Sequence, residues 1–233
     1  MNIKKEWSVQ HFSSLASTND YAKEKRAERK NLIVTADRQT AGRGTKGRSF
    51  SSADGGIYLS KFEFYENFPS SESFKIMIGA AASVCETLEF FGLKPVIKWP
   101  NDLHVNGKKI CGILIENTFG KNTIINSVVG IGVNVNNTFE EELKDIAISM
   151  QEATGKTFDV KSVKEKLIER LLSQHEIEDY RKYLGYMGKE VEMYIGDECV
   201  PATLLFVDEQ GGLWIRVFGE ERRVCAGEVK IKL

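Results

Sequence analysis

Histidine and cysteine are too few and too scattered in this chain for most familiar metal and nucleophile sites. There are 3 histidines (His11, His104, His175) and 4 cysteines (Cys85, Cys111, Cys199, Cys225) in 233 residues, with no C-x-x-C pair. That argues against a zinc site, a secreted disulfide framework and a His-based triad; each cysteine is expected to be a small buried apolar residue. No apolar run approaches the ~18 residues of a membrane span. The opening MNIKKEWSVQHF lacks a signal-peptide core, so a cytoplasmic protein with no membrane partner is expected. Nor does one charge dominate: 32 Lys and Arg oppose 33 Asp and Glu, for a net charge of -1. Attraction to an anion must therefore come from a local patch, and no nucleic-acid partner is expected.

The densest such patch is Thr35 to Phe50, TADRQTAGRGTKGRSF. Gly42, Gly44 and Gly47 alternate with Arg43, Lys46 and Arg48, which leaves exposed backbone N–H groups and concentrated positive charge. A segment of that kind is suited to wrapping an anion. It also spells G-x-G-x-x-G, the dinucleotide fingerprint, which requires a strand before the glycines and a helix after them. The strand is there, as Leu32-Ile33-Val34; Ser49 to Gly56, SFSSADGG, is a run of turn formers with no helical period, so the Rossmann reading fails. A flexible basic surface loop is the plainer alternative.

Around this loop the pattern is mixed α and β. Ser17-Thr18-Asn19 precedes a helix running to about Lys30, and capping alone would explain those side chains. Strands are expected at Leu32 to Ala36, Ile57 to Phe64, Pro95 to Trp99, Leu103 to Val105, Ile110 to Glu116 and Ile124 to Val135, with a hairpin turn at Asn106-Gly107. Helical spacing marks Ser73 to Phe91, closed by Gly92. Ser162 to Glu165 has the S-x-x-E form of a capping box and starts a helix expected to continue toward Tyr183. Gly130 and Gly132 lie inside a strand, through close approach to the backbone or a bulge. From Gly185 onward, short strands at Val191 to Ile195, Pro201 to Val207, Leu213 to Phe218 and Arg222 to Ala226 suggest a small barrel-like module. The expected division is residues 1–184 and 185–233.

Four motifs stand in one order: Ser17-Thr18-Asn19, Gln39-Thr40-Ala41-Gly42-Arg43-Gly44, Lys98-Trp99-Pro100-Asn101-Asp102 with Lys108-Lys109-Ile110-Cys111-Gly112-Ile113-Leu114, and Gly130-Ile131-Gly132-Val133-Asn134. As an ordered set spanning nearly the whole chain, including a module ending near Ala226-Gly227-Glu228, they resemble the biotin–protein ligases. The resemblance implies an α+β fold: a mixed sheet with helices on one side, like class II synthetases, followed by a small SH3-like barrel. Some members carry an N-terminal helix-turn-helix that makes them repressors; only sixteen residues precede Ser17, so the ligase-only form is expected.

The reaction implied has biotin and ATP, with Mg²⁺, giving biotinyl-5′-AMP, and then transfer to a lysine of a biotin carboxyl carrier protein. Two mutually repelling anions must be held together, which asks for positive charge and no enzyme nucleophile. By resemblance, Arg43, Lys109 and Asp102 are the catalytic candidates. Ser17, Thr18, Asn19, Gln39, Gly42, Arg43, Gly44, Lys109 and Gly112 fall on the biotin side. Arg43, Lys46, Arg48, Trp99, Asn101, Gly130, Gly132 and Asn134 fall on the adenylate side. Asp102 is the one candidate to orient Mg²⁺ or the incoming amine, and a turn role for it stays open. The family loop more commonly reads G-R-G-R-x-G-R-x-W; here Thr45 replaces the second arginine and Phe50 the tryptophan, so looser retention of the intermediate is expected. A lipoate–protein ligase and a non-catalytic biotin-binding regulator are the alternatives, and a homodimer is left open.

Overall fold

The computed structural model describes residues 6–226 and 229–232; the Gly227-Glu228 end of the last motif lies outside them. Seven strands make the main sheet: β1 (Trp7–Phe12), β2 (Asn31–Ala36), β3 (Ile57–Pro69), β4 (Val96–Lys98), β5 (Asp102–Val105), β6 (Lys108–Phe119) and β7 (Thr123–Val133). Their order is β1-β2-β3-β7-β6-β5-β4, with β1 and β2 parallel and the other pairs antiparallel. The turn joining β5 to β6 takes positive φ at Asn106 (51°) and Gly107 (79°), which Asn-Gly tolerates and most pairs do not.

Period-two alternation divides the sheet into two faces with different tasks. Ile33, Leu59, Ile113, Val129, Ile131 and Val133 point into the main core, where α2 (Phe74–Phe90) and α4 (Val160–Leu171) cover them. Beside α2 packs α5 (Ile177–Arg181), its Tyr180 ring edge-on to Phe74 at 5.4 Å. On the opposite face the short helix α1 (Thr18–Glu24) covers only one end, where Ala22 meets Leu32, Val34, Phe62 and Val128. The rest of that face is left for the site.

Four local expectations change. The helix expected from Ser162 starts earlier, because Asp159 accepts from the N–H of Lys161 and Ser162 at 3.2 Å each and is the cap; Ser162 only supports it. It stops at Leu171 and resumes as α5, so it does not run through to Tyr183. Capping boxes are instead at Ser149 and Glu152, opening α3 (Met150–Thr154), and at Glu176 and Asp179, opening α5. Strand β1 is an unforeseen edge strand, since its half-exposed, polar-rich sequence carries little hydrophobic signal. Among the cysteines, Cys85 and Cys111 are buried, but Cys199 and Cys225, both in the C-terminal module, are exposed.

That small sheet comprises β8 (Glu190–Ile195), β9 (Glu198–Val207), β10 (Leu213–Val217), β11 (Glu220–Val224) and β12 (Val229–Lys232), in order β11-β10-β9-β8-β12 and antiparallel throughout. It docks on the main body through hydrogen bonds, the Arg181–Glu209 ion pair and close packing. Trp99 Nε1 donates to the Gly211 carbonyl at 3.1 Å, and Arg181 donates twice to the Val207 carbonyl at 2.9 and 2.8 Å. Gly211, at φ 81°, sits so close to the Phe74 ring that any Cβ there would overlap it. Among the described residues, no helix is long and apolar enough to cross a membrane.

Candidate active site

The floor of the site is a rectangular grid set by strand register. One row runs Ala36, Tyr58, Gly132, Gly112, Asp102; the next runs Val34, Ser60, Gly130, Leu114; the third runs Leu32, Phe62, Val128, Glu116. Glycine at 112, 130 and 132 removes three adjacent side chains from the middle of a sheet, which leaves a hollow floored by backbone. The space is claimed by others: a Cβ on Gly130 would overlap the Asn19 side chain, and one on Gly132 would come within 2.5 Å of the Phe50 ring. The strand glycines therefore reflect close approach, not a bulge.

A ring of buried amides and hydroxyls lines one wall. Ser17 caps α1 by accepting from Asp20 N at 3.3 Å, and Ser17, Thr18 and Asn19 are each about 5% exposed or less. Both the N–H and Oγ1 of Thr18 donate to Gln39 Oε1, at 2.8 and 3.0 Å, and Gln39 Nε2 donates to Ser52 Oγ at 3.0 Å. Ser60, wholly buried, lies 2.8 Å from Thr18 Oγ1 and 2.5 Å from Asn19 Oδ1. Chains of this kind fix donor and acceptor directions before anything binds, because each member would otherwise be an unpaired buried polar group.

The glycine and arginine loop is a hairpin over this floor. Gly44 N donates to Arg48 O at 2.6 Å and Phe50 N to Gly42 O at 2.9 Å, with a tight turn at Thr45–Gly47 where Lys46 and Gly47 take positive φ. Its base is pinned by Thr40 N to Leu15 O (2.9 Å) and Gln39 N to Ser52 O (3.1 Å). Phe50 hangs from one flank into the hollow and meets Tyr58 edge-on at 6.5 Å. Arg43 reaches from the other flank to Asp20, with Glu116 Oε2 3.6 Å away. Burial pushes the Glu116 carboxyl up, but hydrogen bonds from Lys23 and Asn19 and the charges of Lys23 and Arg43 outweigh it and hold its pKa below the usual value.

Lys109 leaves β6 beside Gly112 and pairs with Asp102 Oδ1 at 2.7 Å. Its backbone is fixed by Ile146 O and by Ile148 N, so the side chain is aimed by a three-stranded contact. Lys109, Arg43, Gly44, Thr45 and Phe50 close a cavity of about 50 Å³ over the ring and the glycines. A second cavity, of about 570 Å³, opens on the far side of Asp102, where Lys46, Arg48, Lys98 and Trp99 line it together with Val229 and Ile231 of the small sheet. Thr45, Asn101, Asp102, Ile113 and Leu114 belong to both, and form a shared wall. Asn101 is held there by donation to Ile113 O at 2.9 Å.

Most of the residues singled out in the sequence converge here, with some redistribution. Gly130 and Gly132 lie with the hydroxyl and amide ring, not across the shared wall with Lys46 and Arg48. Gly42 lines neither cavity: a Cβ would collide with Ser52 Oγ and Phe50 O, so it serves the hairpin base. Asn134 also lines neither; its amide donates to Lys109 O (3.4 Å) and Ile148 O (3.2 Å) and accepts from Asn137 (3.1 Å), so it anchors the Lys109 strand. Trp99 is 5% exposed and spends its N–H on Gly211. Sequence reasoning missed Ser60, Ser52, Asp20 and Glu116. Ser60 had a signal, as a lone hydroxyl at an inward strand position; Glu116 had none. Among the described residues there is no cluster of three or more His, Cys, Asp and Glu that could hold a metal ion.

The sequence profile of the biotin/lipoate A/B protein ligase family matches residues 11–134, over half the chain. The chain belongs to this family. Relatives include the bifunctional ligase/repressor BirA of Bacillus subtilis, 35% identical over 216 residues, 85% of this chain and 66% of that protein. The chain thus spans just under two thirds of that relative's length. The Escherichia coli BirA is 30% identical over 241 residues, 97% of this chain and 74% of that protein. Among solved structures, the Aquifex aeolicus biotin protein ligase in complex with biotin and ATP superposes with a TM-score of 0.78 at 29% identity, covering 97% of this chain and 98% of that one. The mixed sheet with its appended antiparallel sheet is the fold of these ligases.

Proposed function

We propose that this chain is a biotin–protein ligase: it joins biotin to AMP and then transfers biotin to a lysine of a carboxylase carrier domain. The observation that carries the reading is the pair of cavities on either side of the Thr45, Asn101 and Asp102 wall, with Arg43 and Lys109 beside it. The smaller offers a ring of fixed donors and acceptors, suited to a ureido head; the dithiolane of lipoate has no hydrogen-bonding groups to satisfy such a ring. The larger has Lys46, Arg48 and Lys98 for phosphates. At about 50 Å³ the small cavity has room for a few waters, so a bicyclic ligand enters by displacing the Phe50 ring from the glycines.

In the first half-reaction a biotin carboxylate oxygen attacks the α-phosphorus of ATP, the bond to the bridging oxygen breaks, and pyrophosphate leaves. Arg43 and Lys109 oppose the repulsion of the two anions, and their charge matters most as negative charge builds on the phosphoryl oxygens. In the second half, the carrier lysine amine attacks the acyl carbon, loses a proton, and AMP departs. Asp102, already paired to Lys109, is placed to orient that amine. Mg²⁺ would travel with the triphosphate, since magnesium favours phosphates plus one or two carboxylates over an all-protein cage, and Asp102 is the carboxylate at hand. Residues 1–184 would carry this chemistry and 185–233 form the small module.

The test is incubation with biotin, ATP, Mg²⁺ and a carboxyl carrier domain, with lipoate in a parallel tube and Arg43→Ala and Lys109→Ala as controls. Labelling of the carrier lysine with biotin is expected. No labelling by the wild type overturns the activity, and full labelling by both variants overturns the assignment of residues.

A further inference from the structure

Arg43 does not stand alone at the cavity. It forms one corner of a square of alternating charge: it pairs with Asp20 and lies 3.6 Å from Glu116, while Lys23 lies 2.5 Å from Glu116 and 3.5 Å from Asp20. Each acid is shared by two bases and like charges sit on the diagonals. The square is also tied to the floor, because Asn19 donates to Glu116 at 2.8 Å and accepts from Ser60. Between Gly42 and Ser49, the backbone hydrogen bonds among the described residues all close within the hairpin. The hairpin is therefore fastened to the body by the Phe50 ring on one flank and by Arg43 on the other. Asp20 uses only the Nη2 corner of the guanidinium, and among the described residues Nη1 and Nε have no hydrogen-bond partner.

We propose that Asp20 and Glu116 are positioning residues for Arg43: they latch the hairpin lid to α1 and β6, and they turn the remaining guanidinium edge toward the cavity. In a chain whose lid has Thr45 where the common family loop has arginine, this latch takes over part of the lid-holding charge from outside the loop. The latch itself rests on geometry alone; its consequence for an activated acyl group rests on the ligase reading above.

The lid contains trypsin sites at Arg43, Lys46 and Arg48, and cleavage at Lys46 and Arg48, which every variant keeps, reads its opening in the full chain. Asp20→Asn is expected to raise the cleavage rate about threefold at ~50 mM salt, the scale of a partly exposed ion pair, and Asp20→Glu to restore the wild-type rate. The wild-type rate should climb toward that of Asp20→Asn at ~0.5 M salt, where such pairs are screened, while the variant, left with the Glu116 contact alone, changes less. Arg43→Met, which also loses the Glu116 contact, should be at least as fast as Asp20→Asn, and the double variant should be no faster than Arg43→Met. Equal rates for wild type and Asp20→Asn at low salt, or additive acceleration in the double variant, would overturn the latch. With biotin and ATP present, Asp20→Asn should also biotinylate bystander protein about threefold more than wild type. A wild type that labels no carrier would overturn the ligase reading while leaving the cleavage cycle to judge the latch.

Discussion

Floor and lid of the site are built on opposite principles. The floor is defined by what is missing, three side chains at 112, 130 and 132 in adjoining strands, and is rigid because Ser60, Thr18 and Gln39 bond to one another beneath and beside it. The lid is defined by added charge and by a tight turn with positive φ at Lys46 and Gly47, and its hold on the body is ionic and half exposed, with 42% of the Arg43 side chain and 48% of Asp20 accessible. A floor of this kind sets what fits. A lid of this kind sets how long it stays.

If that division is right, substitutions should separate into effects on chemistry, fit and residence. The largest effect is expected at the meeting point: Lys109→Ala should lower the rate of adenylate formation about 10³-fold, as loss of a charged transition-state contact does, in a pyrophosphate-release assay. On the floor, Gly132→Val should weaken biotin binding about a hundredfold by calorimetry, because the Cβ occupies the place of the Phe50 ring. The fold should survive, since valine suits a strand. Next, Ser60→Ala should cost roughly tenfold in biotin affinity by leaving Asn19 Oδ1 and Thr18 unsupported in a buried ring. The smallest change is expected on the lid, where Thr45→Arg should slow escape of activated biotin about threefold while biotin affinity holds. A lid variant that altered affinity more than residence would erase the distinction.

Acid offers a way to loosen one flank alone. Glu116 has its pKa depressed in the folded chain, so its contribution is present above the ordinary carboxylate pKa and fades as pH falls through the lower folded value. Lid cleavage by an acid-tolerant protease should therefore rise below about pH 4.5 in the wild type and rise less in Glu116→Gln, which keeps only the Asp20 carboxylate.

The contrast between floor and lid also governs what was legible in the sequence. Strand β2 was legible as an apolar run and helix α2 by its periodicity, while the glycines at 130 and 132 left close approach and a bulge open until the unbroken register there decided for close approach. The lid residues were visible as a charged cluster, although only the fold reveals that Arg43 and Phe50 leave its two flanks in different directions. Asp20 and Glu116 were not visible: they are 96 positions apart, as 116 less 20 gives, and acidic side chains are common on any helix or strand. They come to share Arg43 and Lys23 because β6 lies two strands from β3 and α1 crosses the same face. Asn134 and Gly42 support neighbouring backbone and line neither of the two cavities, a placement that the motifs alone do not show. Asp159 displaced Ser162 as a cap because it stands three residues earlier and offers its two carboxylate oxygens to the N–H groups of Lys161 and Ser162.

Strand β7 carries the hollow and the core on alternate letters: Gly130 and Gly132 to one side, Val129, Ile131 and Val133 to the other. Deleting one residue between Asn126 and Val128 would shift the register by one and exchange the two sets, pushing valine and isoleucine into the hollow and glycine into the core. Binding and folding would then fail together. In this strand reading frame and recognition are one inheritance, so sequence drift can reshape the pocket by substitution but not by insertion or deletion.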